Sequence, residues 1–448
     1  VVIISLFLTL FFTSQLHAEP TAMAPGVQTE KIVKESSPES GPSEEHVLKD
    51  LDNRVSDVFP IPEKLLPPVT FWFRIYTTYH SYHAVLHDKE NLGLVYQVLD
   101  FEELNNNKQL SRITKASLQK RTTREKIREL KNAMANLGKG KKAKTATEKR
   151  VLEVLKNAGI TVSRKNRVKI YKNLASNLRT QTGQYDMILA GVDRFVPYSG
   201  YILPLLESFD LPPELFAITF LESSFNPVAI SKVGAAGPWQ FIKGVGGYFM
   251  TVNNDTDQRF STYLSTASAF HLLKQNRKIL GSWDLAVMAY NSGTKHLLKA
   301  KKSLATKKGD KVGAQDIVFY YDHPHVGFAS KNFFSEFLAL IHALAYKERF
   351  YPVDHLKSWG DAEQAPEGWI SKCSVKVSQL PIKLERELNL HFKSRKLPSQ
   401  LRRGDIVITR GGTLPESKFL KIPLAQLTKF YPKNLSKNLL KDQRCSTK

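Results

Sequence analysis

Leu211–Tyr248 reads LPPELFAITFLESSFNPVAISKVGAAGPWQFIKGVGGY, and the rest of the chain is organised around it. Glu222 is the one acid in the mainly apolar run from Phe216 to Phe225. Pro212-Pro213 predicts a helix start, because proline suits the first helical turn. Leu215, Ile218, Thr219 and Glu222 then fall at helical spacing, which puts Glu222 at the inner end of that helix. The helix should stop at Asn226-Pro227, because proline disfavours helical geometry in the residue before it. A carboxylic acid on an apolar face resists ionisation, as a general acid working near neutral pH must. The same residue also reads as a plain helix-end glutamate capped by Ser223 or Ser224.

Two later segments bear on that choice. GAAGPWQF, Gly234–Phe241, joins small residues to Trp239 and Gln240. Small residues let backbone approach a ligand, indole offers an apolar face, and an amide supplies a donor and an acceptor. AVMAYNSG, Ala286–Gly293, is an apolar helical run that ends in Tyr290 and Asn291, so a hydroxyl and an amide stand at a helix end. Aromatic and amide groups facing one acid make a sugar site; taken singly, Trp239 and Tyr290 read as core.

ES-x-F-x-P, then GAAG-x-WQF, then AYN-x-G, in this order and spacing, resemble the catalytic domain of the soluble lytic transglycosylases, a goose-lysozyme-like family. LPPELFAITFLESSFNP and GPWQF follow the pattern of its membrane-bound lytic transglycosylase D branch. The likeness runs from about Tyr185 to Tyr351. It implies a lysozyme-like, mostly helical fold and non-hydrolytic cleavage of the MurNAc–GlcNAc β-1,4 bond of peptidoglycan. In that family one glutamate protonates the leaving oxygen, then acts as base while the MurNAc 6-hydroxyl closes a 1,6-anhydro ring. The resemblance assigns this role to Glu222, and a place along the glycan cleft to Ser223, Gln240, Tyr290 and Asn291. Trp239 joins them as an apolar face.

One position departs from the pattern. The family carries a Glu-Thr-Arg-x-Tyr-Val-like segment whose tyrosine reaches the site. Ala329–Phe334 is the nearest match here, and Phe333 stands where the hydroxyl would be. A hydrolase would instead need a second carboxylate across the cleft. Asp255 and Asp257 in a polar turn and Asp284 at a helix start are the candidates, and each has an ordinary turn or cap explanation.

Outward from this domain, Arg194-Phe195 and Tyr201–Leu206 predict a helix behind the Glu222 helix. Phe260–Leu280, Trp283–Tyr290 and Lys331–Arg349 predict further helices. The chain has 448 residues and a net charge of +23, which favours an anionic partner. Lys115–Lys172 holds nineteen Lys and Arg against four Glu. Helices are expected over Arg124–Leu137 and Thr147–Ala158, around the basic loop Gly138–Lys144. Tyr171 is the one aromatic there, too few for base stacking, so no nucleic acid is expected. A solvated helix pair is one reading; attachment to the anionic cell wall, through the carboxylates of its stem peptides, is the other.

Val1–Ala18 has the apolar core of a signal peptide and is too short to span a bilayer comfortably. No Cys follows it to carry a lipid. Residues 19–60 are polar and rich in Pro, Ser and Glu, and read as a disordered linker. Residues 61–184 form a mostly helical basic region: a helix over Pro67–Tyr79, then HAVLHD and NLGLVYQVLD as a β-hairpin. His83 and His87, with His80, lack a carboxylate or thiol to complete a metal set.

Residues 352–448 read as a small α/β module with strands at Cys373–Val377 and Asp405–Thr409 and a helix over Pro381–Leu390. Its strand–helix–strand order faintly resembles a LysM carbohydrate-binding module. Two cysteines exclude a disulfide framework or a Cys-rich zinc site, though Cys373 and Cys445 have the chance to pair in an oxidising compartment. The combined expectation is a mainly α, secreted enzyme of the periplasm or cell envelope. It acts on peptidoglycan glycan strands, has no metal or cofactor, and associates peripherally with wall or membrane. A hydrolytic muramidase and a non-catalytic glycan-binding protein are the alternatives.

Overall fold

The computed structural model describes residues 42–309, 311–352 and 366–445. The expected signal peptide, and residues 19–41 of the expected linker, lie outside them. The described residues divide into two compact units, 42–51 with 61–187, and 52–60 with 188–445.

The first unit holds α1 (Glu44–Leu48), α2 (Leu66–Thr77), β1 (His83–Asp88), β2 (Val95–Asp100), α3 (Glu102–Asn106), α4 (Arg112–Gly138), α5 (Ala146–Asn157), α6 (Arg167–Asn177) and β3 (Leu178–Thr182). α1 lies inside the expected linker: Ser43 caps it, and Val47 and Leu48 are buried. A few apolar residues suffice to dock a short polar segment. The hairpin forms as read, with His83 opposite Asp100 and Val85 opposite Val98. The pattern gave no sign of β3, which pairs antiparallel with β1 to give the order β2-β1-β3. β1 is therefore central and buried along its whole length, which strips it of the alternation that an edge strand keeps. α4 to α6 lay one apolar stripe against this sheet, where Leu130, Met134, Leu137, Val151 and Leu155 meet Leu86, Tyr96 and Leu99.

The second unit is built from α7 (Tyr185–Ser208, most of whose length belongs here), α8 (Ile218–Ser223), α9 (Lys243–Phe249), α10 (Thr262–Leu280), α11 (Trp283–Ser292), α12 (Thr294–Lys308), α13 (Ala314–Tyr320), α14 (Phe328–Ala345) and α15 (Lys347–Phe350). β4 (Glu367–Ser371), β5 (Val375–Lys376), β6 (Gln400–Leu401), β7 (Ile406–Thr409), β8 (Phe419–Ile422), α16 (Leu424–Lys429) and α17 (Pro432–Leu439) follow. α10, α11 and α14 form its centre; α11, α14 and the first half of α10 are buried nearly all round. Residues 52–60 dock here: Phe59 sits edge-on to Phe337 at 4.9 Å, and the Ser56 amide donates to Glu214 at 2.8 Å.

The sequence draws a boundary at 352, yet residues beyond it share the second unit's interior. Asp257 N donates to His391 O at 2.8 Å, the His271 ring meets Leu427 O at 2.8 Å, and Leu390 packs with Ala236 and Phe260. The sheet order is β7-β4-β8. The helix expected over Pro381–Leu390 does not form; only a short 3₁₀ turn, Glu387–Asn389, is present. The Asn389 side chain instead accepts from Ile408 N at 2.9 Å and donates to Ile408 O at 2.8 Å, taking the place of a neighbouring strand beside β7. The expected strand Cys373–Val377 is shorter, because Cys373 sits in the turn between β4 and β5. Cys373 and Cys445 are joined in a disulfide, with Cα atoms 5.5 Å apart.

Candidate functional site

Pro212 and Pro213 open a 3₁₀ turn, Pro213–Ala217, that runs straight into α8. α8 ends at Ser224 in the left-handed region (φ 50°), and Phe225 follows with φ 53°. Two successive non-glycine residues there store strain, and the surroundings hold them in place. Arg194 on α7 donates through Nε and Nη2 to the Ser224 carbonyl at 2.9 and 2.6 Å. Phe195 stacks on Phe216 at 4.9 Å and meets Phe225 edge-on at 5.2 Å. α7 thus lies behind the Glu222 helix, as its apolar spacing predicts. A Cβ at Gly191 would come within 3.0 Å of Phe220 and 3.1 Å of the Ser224 carbonyl.

Glu222 is half-buried in the last turn of α8. Its charge reaches Tyr290. The Tyr290 hydroxyl is held well above the usual phenol range, first by burial and then by the negative charge of Glu222. Ser223, expected to line the cleft, spends its hydroxyl on the backbone. It donates to Pro238 O at 2.8 Å and accepts from Asn226 N at 2.9 Å. That stitches the glutamate turn to the GPWQ turn.

The GAAGPWQF loop is held from beneath. Arg259 donates through Nη1 to Gly234 O at 2.8 Å and Phe241 O at 3.0 Å, and Asp257 fixes the guanidinium at 2.9 and 2.7 Å. Gly237 has φ 77°, and a Cβ there would collide with the Arg259 carbonyl. Gln240 is half-buried, and its amide nitrogen donates to Gly237 O at 2.8 Å.

Four expected cleft residues are buried. Trp239 is 0% exposed, its indole donating to Thr266 Oγ1 at 2.8 Å, so it shows no face to a ligand. Tyr290 is 5% exposed and donates to Trp239 O at 2.8 Å, which ties the AYN helix to the loop. Asn291 is 1% exposed and accepts from Ser330 Oγ at 3.2 Å. Phe333 is 1% exposed within α14. A single residue between helix and loop must fill volume before it can face a substrate, and large aromatics fill it best. Glu222 and Gln240 keep partial exposure; Tyr290 bonds the loop beside Gln240 and feels the charge of Glu222, while Asn291 ties the end of its helix to Ser330.

None of the three other acids stands free to serve as a second carboxylate. Asp255 pairs with Arg402 at 3.7 Å, Asp257 holds Arg259, and Asp284 accepts from Ala314 N at 2.6 Å, capping α13 in addition to bonding Leu285 N. Among the described residues no group of three His, Cys, Asp or Glu could hold a metal ion. His83 and His87 are buried instead, and burial pushes His87 down to about 4. The sequence assigns no site role to Arg194, Arg259, Thr266 or Ser330. Arg194 alone carried a signal, as a lone cation in the apolar helix DRFVPYSGYILPLL.

Residues 207–312 match the family model of the transglycosylase SLT domain. The membrane-bound lytic murein transglycosylases D of Escherichia coli strain K12 and of a second E. coli strain are 34% identical over 128 residues, 28% of this chain and 27% of theirs. A protein of Alteromonas sp. strain M-1, named for tributyltin chloride resistance, is 31% identical over 116 residues, 25% of this chain and 56% of its own. The chain thus spans about a quarter of the length of the E. coli relatives. All the motifs around Glu222, Gln240 and Tyr290 lie inside the matched domain.

Proposed function

We propose that this protein is a peptidoglycan lytic transglycosylase of the cell envelope. It would cleave the MurNAc–GlcNAc β-1,4 bond without water and leave 1,6-anhydro-MurNAc ends. The observation that carries the reading is a single half-buried glutamate at a strained helix end, inside the matched domain, with the neighbouring acids engaged elsewhere. Glu222 protonates the glycosidic oxygen as the C1–O bond breaks. As a carboxylate it then takes the proton of the MurNAc 6-hydroxyl, whose oxygen bonds to C1. Attack within one ring gains from proximity, and the proton count closes with no water consumed. Gln240 is the amide left at the rim to meet a sugar. Tyr290 and Asn291 hold the floor, and the apolar ring of Phe333 supports it where relatives place a hydroxyl.

The basic helices α4 to α6 would attach the protein to the anionic wall, and secretion through the N-terminal segment would bring it there. Mass spectrometry of digested sacculi tests the activity. The expected muropeptides end in 1,6-anhydro-MurNAc, one water lighter than reducing-end products. Reducing ends that take up oxygen from labelled water would make the enzyme a muramidase.

A further inference from the structure

Three imidazoles gather just past the AYN-x-G motif. His296 lies in the first turn of α12, its amide donating to Gly293 O at 3.1 Å. His323 and His325 lie in the loop between α13 and α14. The rings of His296 and His325 are 4.7 Å apart, and those of His323 and His325 5.2 Å. The same loop leads into the turn whose Ser330 bonds Asn291, so the cluster flanks the end of the AYN-x-G motif, whose Tyr290 feels the charge of Glu222.

The hydrogen bonds within it are informative. His323 Nδ1 accepts from His325 N at 3.2 Å. Lys299 Nζ is 3.5 Å from His323 Nε2. An ammonium and the ring nitrogens of three neighbouring imidazoles thus gather at one place, as the two oxygens of a carboxylate would require. Nearby acids are committed: Asp322 to Lys331 at 3.7 Å, Asp316 to Gly313 N at 3.2 Å and Asp284 to Ala314 N. Lys295 and Lys302 on α12 add positive charge to the same helix, and Tyr320 and Tyr321 are the remaining titratable groups of the neighbouring segment.

We infer that His296, His323, His325 and Lys299 form a carboxylate-binding subsite beside the cleft, which grips the acidic peptide stems of the glycan more tightly as pH falls. This rests on the peptidoglycan reading above. Lys299 supplies the ammonium of the set. Imidazole is the side chain type that gains charge on mild acidification, so the grip tightens as pH falls. Burial, then the neighbouring His325, His323 and Lys295, lowers the pKa of His296, so its charge appears late on acidification. A bound carboxylate would favour that charge.

Binding of full-length Glu222→Gln protein to intact sacculi, compared with sacculi whose stem carboxylates have been amidated, tests this without requiring cleavage. Affinity for native sacculi should rise roughly three- to tenfold from pH 7.5 to 5.5, the scale of a few exposed charge pairs. Amidated sacculi should show no such rise. The pair His296→Gln/His325→Gln, or His325→Gln alone at an exposed site, should remove or reduce the pH dependence, whereas Lys299→Met should weaken binding at both pH values. Equal pH dependence on amidated sacculi, or in the double variant, overturns the proposal. So does binding that tightens with added zinc and not with acid. Reducing-end products from the wild-type enzyme would overturn the anhydro mechanism while leaving this result standing.

Discussion

α4 in the first unit and α10 in the second are both long helices, yet they are different objects. α4 runs for 27 residues and buries only Leu130, Ala133, Met134 and Leu137, all in its last third. α10 runs for 19 residues and buries every residue from Thr262 to His271. A helix with one buried stripe shows its period in the sequence. A helix buried all round must also bury its polar residues, and each then needs a partner. Ser265 and Ser268 turn back to the carbonyls of Ser261 and Leu264 at 2.7 and 2.9 Å, and Thr266 receives the Trp239 indole. The first kind of helix presents charge to solvent. The second gives the GPWQ loop something rigid to be held by, through Thr266 and the Trp239 indole.

The sharpest way to break the comparison is to remove chemistry from the rigid unit alone. Glu222→Gln is nearly isosteric and cannot transfer a proton. Sacculus digestion should fall by 10²–10⁴ or more, on the order of what general acid–base catalysis supplies, with circular dichroism and melting temperature retained. Near wild-type digestion would remove Glu222 from the mechanism.

Next in size is Arg194→Met, which takes both donors from the Ser224 carbonyl behind the glutamate. A displacement of Glu222 of the order of 1 Å should cost roughly 10²-fold in kcat, and Arg194→Lys should recover part of it. A loss confined to thermal stability, with kcat intact, would show that the α8 turn holds itself.

Each unit also carries a buried imidazole, so acid should weaken both. Burial depresses His391 and His87 to about 4, against 6.5 in the ordinary state. A folded value below the unfolded one means full stability above about pH 6.5 and loss as pH falls from there toward 4. Each group contributes up to roughly 3 kcal/mol over that window. His391→Gln should flatten the pH dependence of melting of the second unit, and His87→Gln that of the first. Parallel curves for wild type and variant would refute it.

The smallest effects belong to the solvated helices. Thr145 accepts from Glu148 N at 3.1 Å in a capping box at the start of α5, and Thr145→Ala should cost the first unit about 1 kcal/mol. Neutralising Lys139, Lys141, Lys142 and Lys144 should weaken sacculus binding at low salt and change it little at high salt, because exposed charges act over ~10 Å at 0.1 M. Unchanged co-sedimentation would make the run a solvated surface only.

The sequence by itself determined that a helix carries Glu222, though not that its first turn is 3₁₀ or that it stops at Ser224 ahead of Asn226-Pro227, and it determined the order of the surrounding helices, the β1–β2 hairpin and the basic character of α4 to α6. Each of these is a local pattern: a period, a proline pair, a charge run. It also supplied Glu222, because an acid in an apolar run stands out. Only the tertiary structure decided which motif residues face the rim and which fill the interior, since Trp239, Tyr290, Asn291 and Phe333 point wherever packing from distant helices sends them. It likewise decided the Arg194 and Arg259 clamps, the joining of Cys373 to Cys445 and the replacement of a helix near Leu390 by the Asn389 contact with β7. Those contacts link residues between about 19 and 72 positions apart, and no window of sequence short enough to show a period contains both partners.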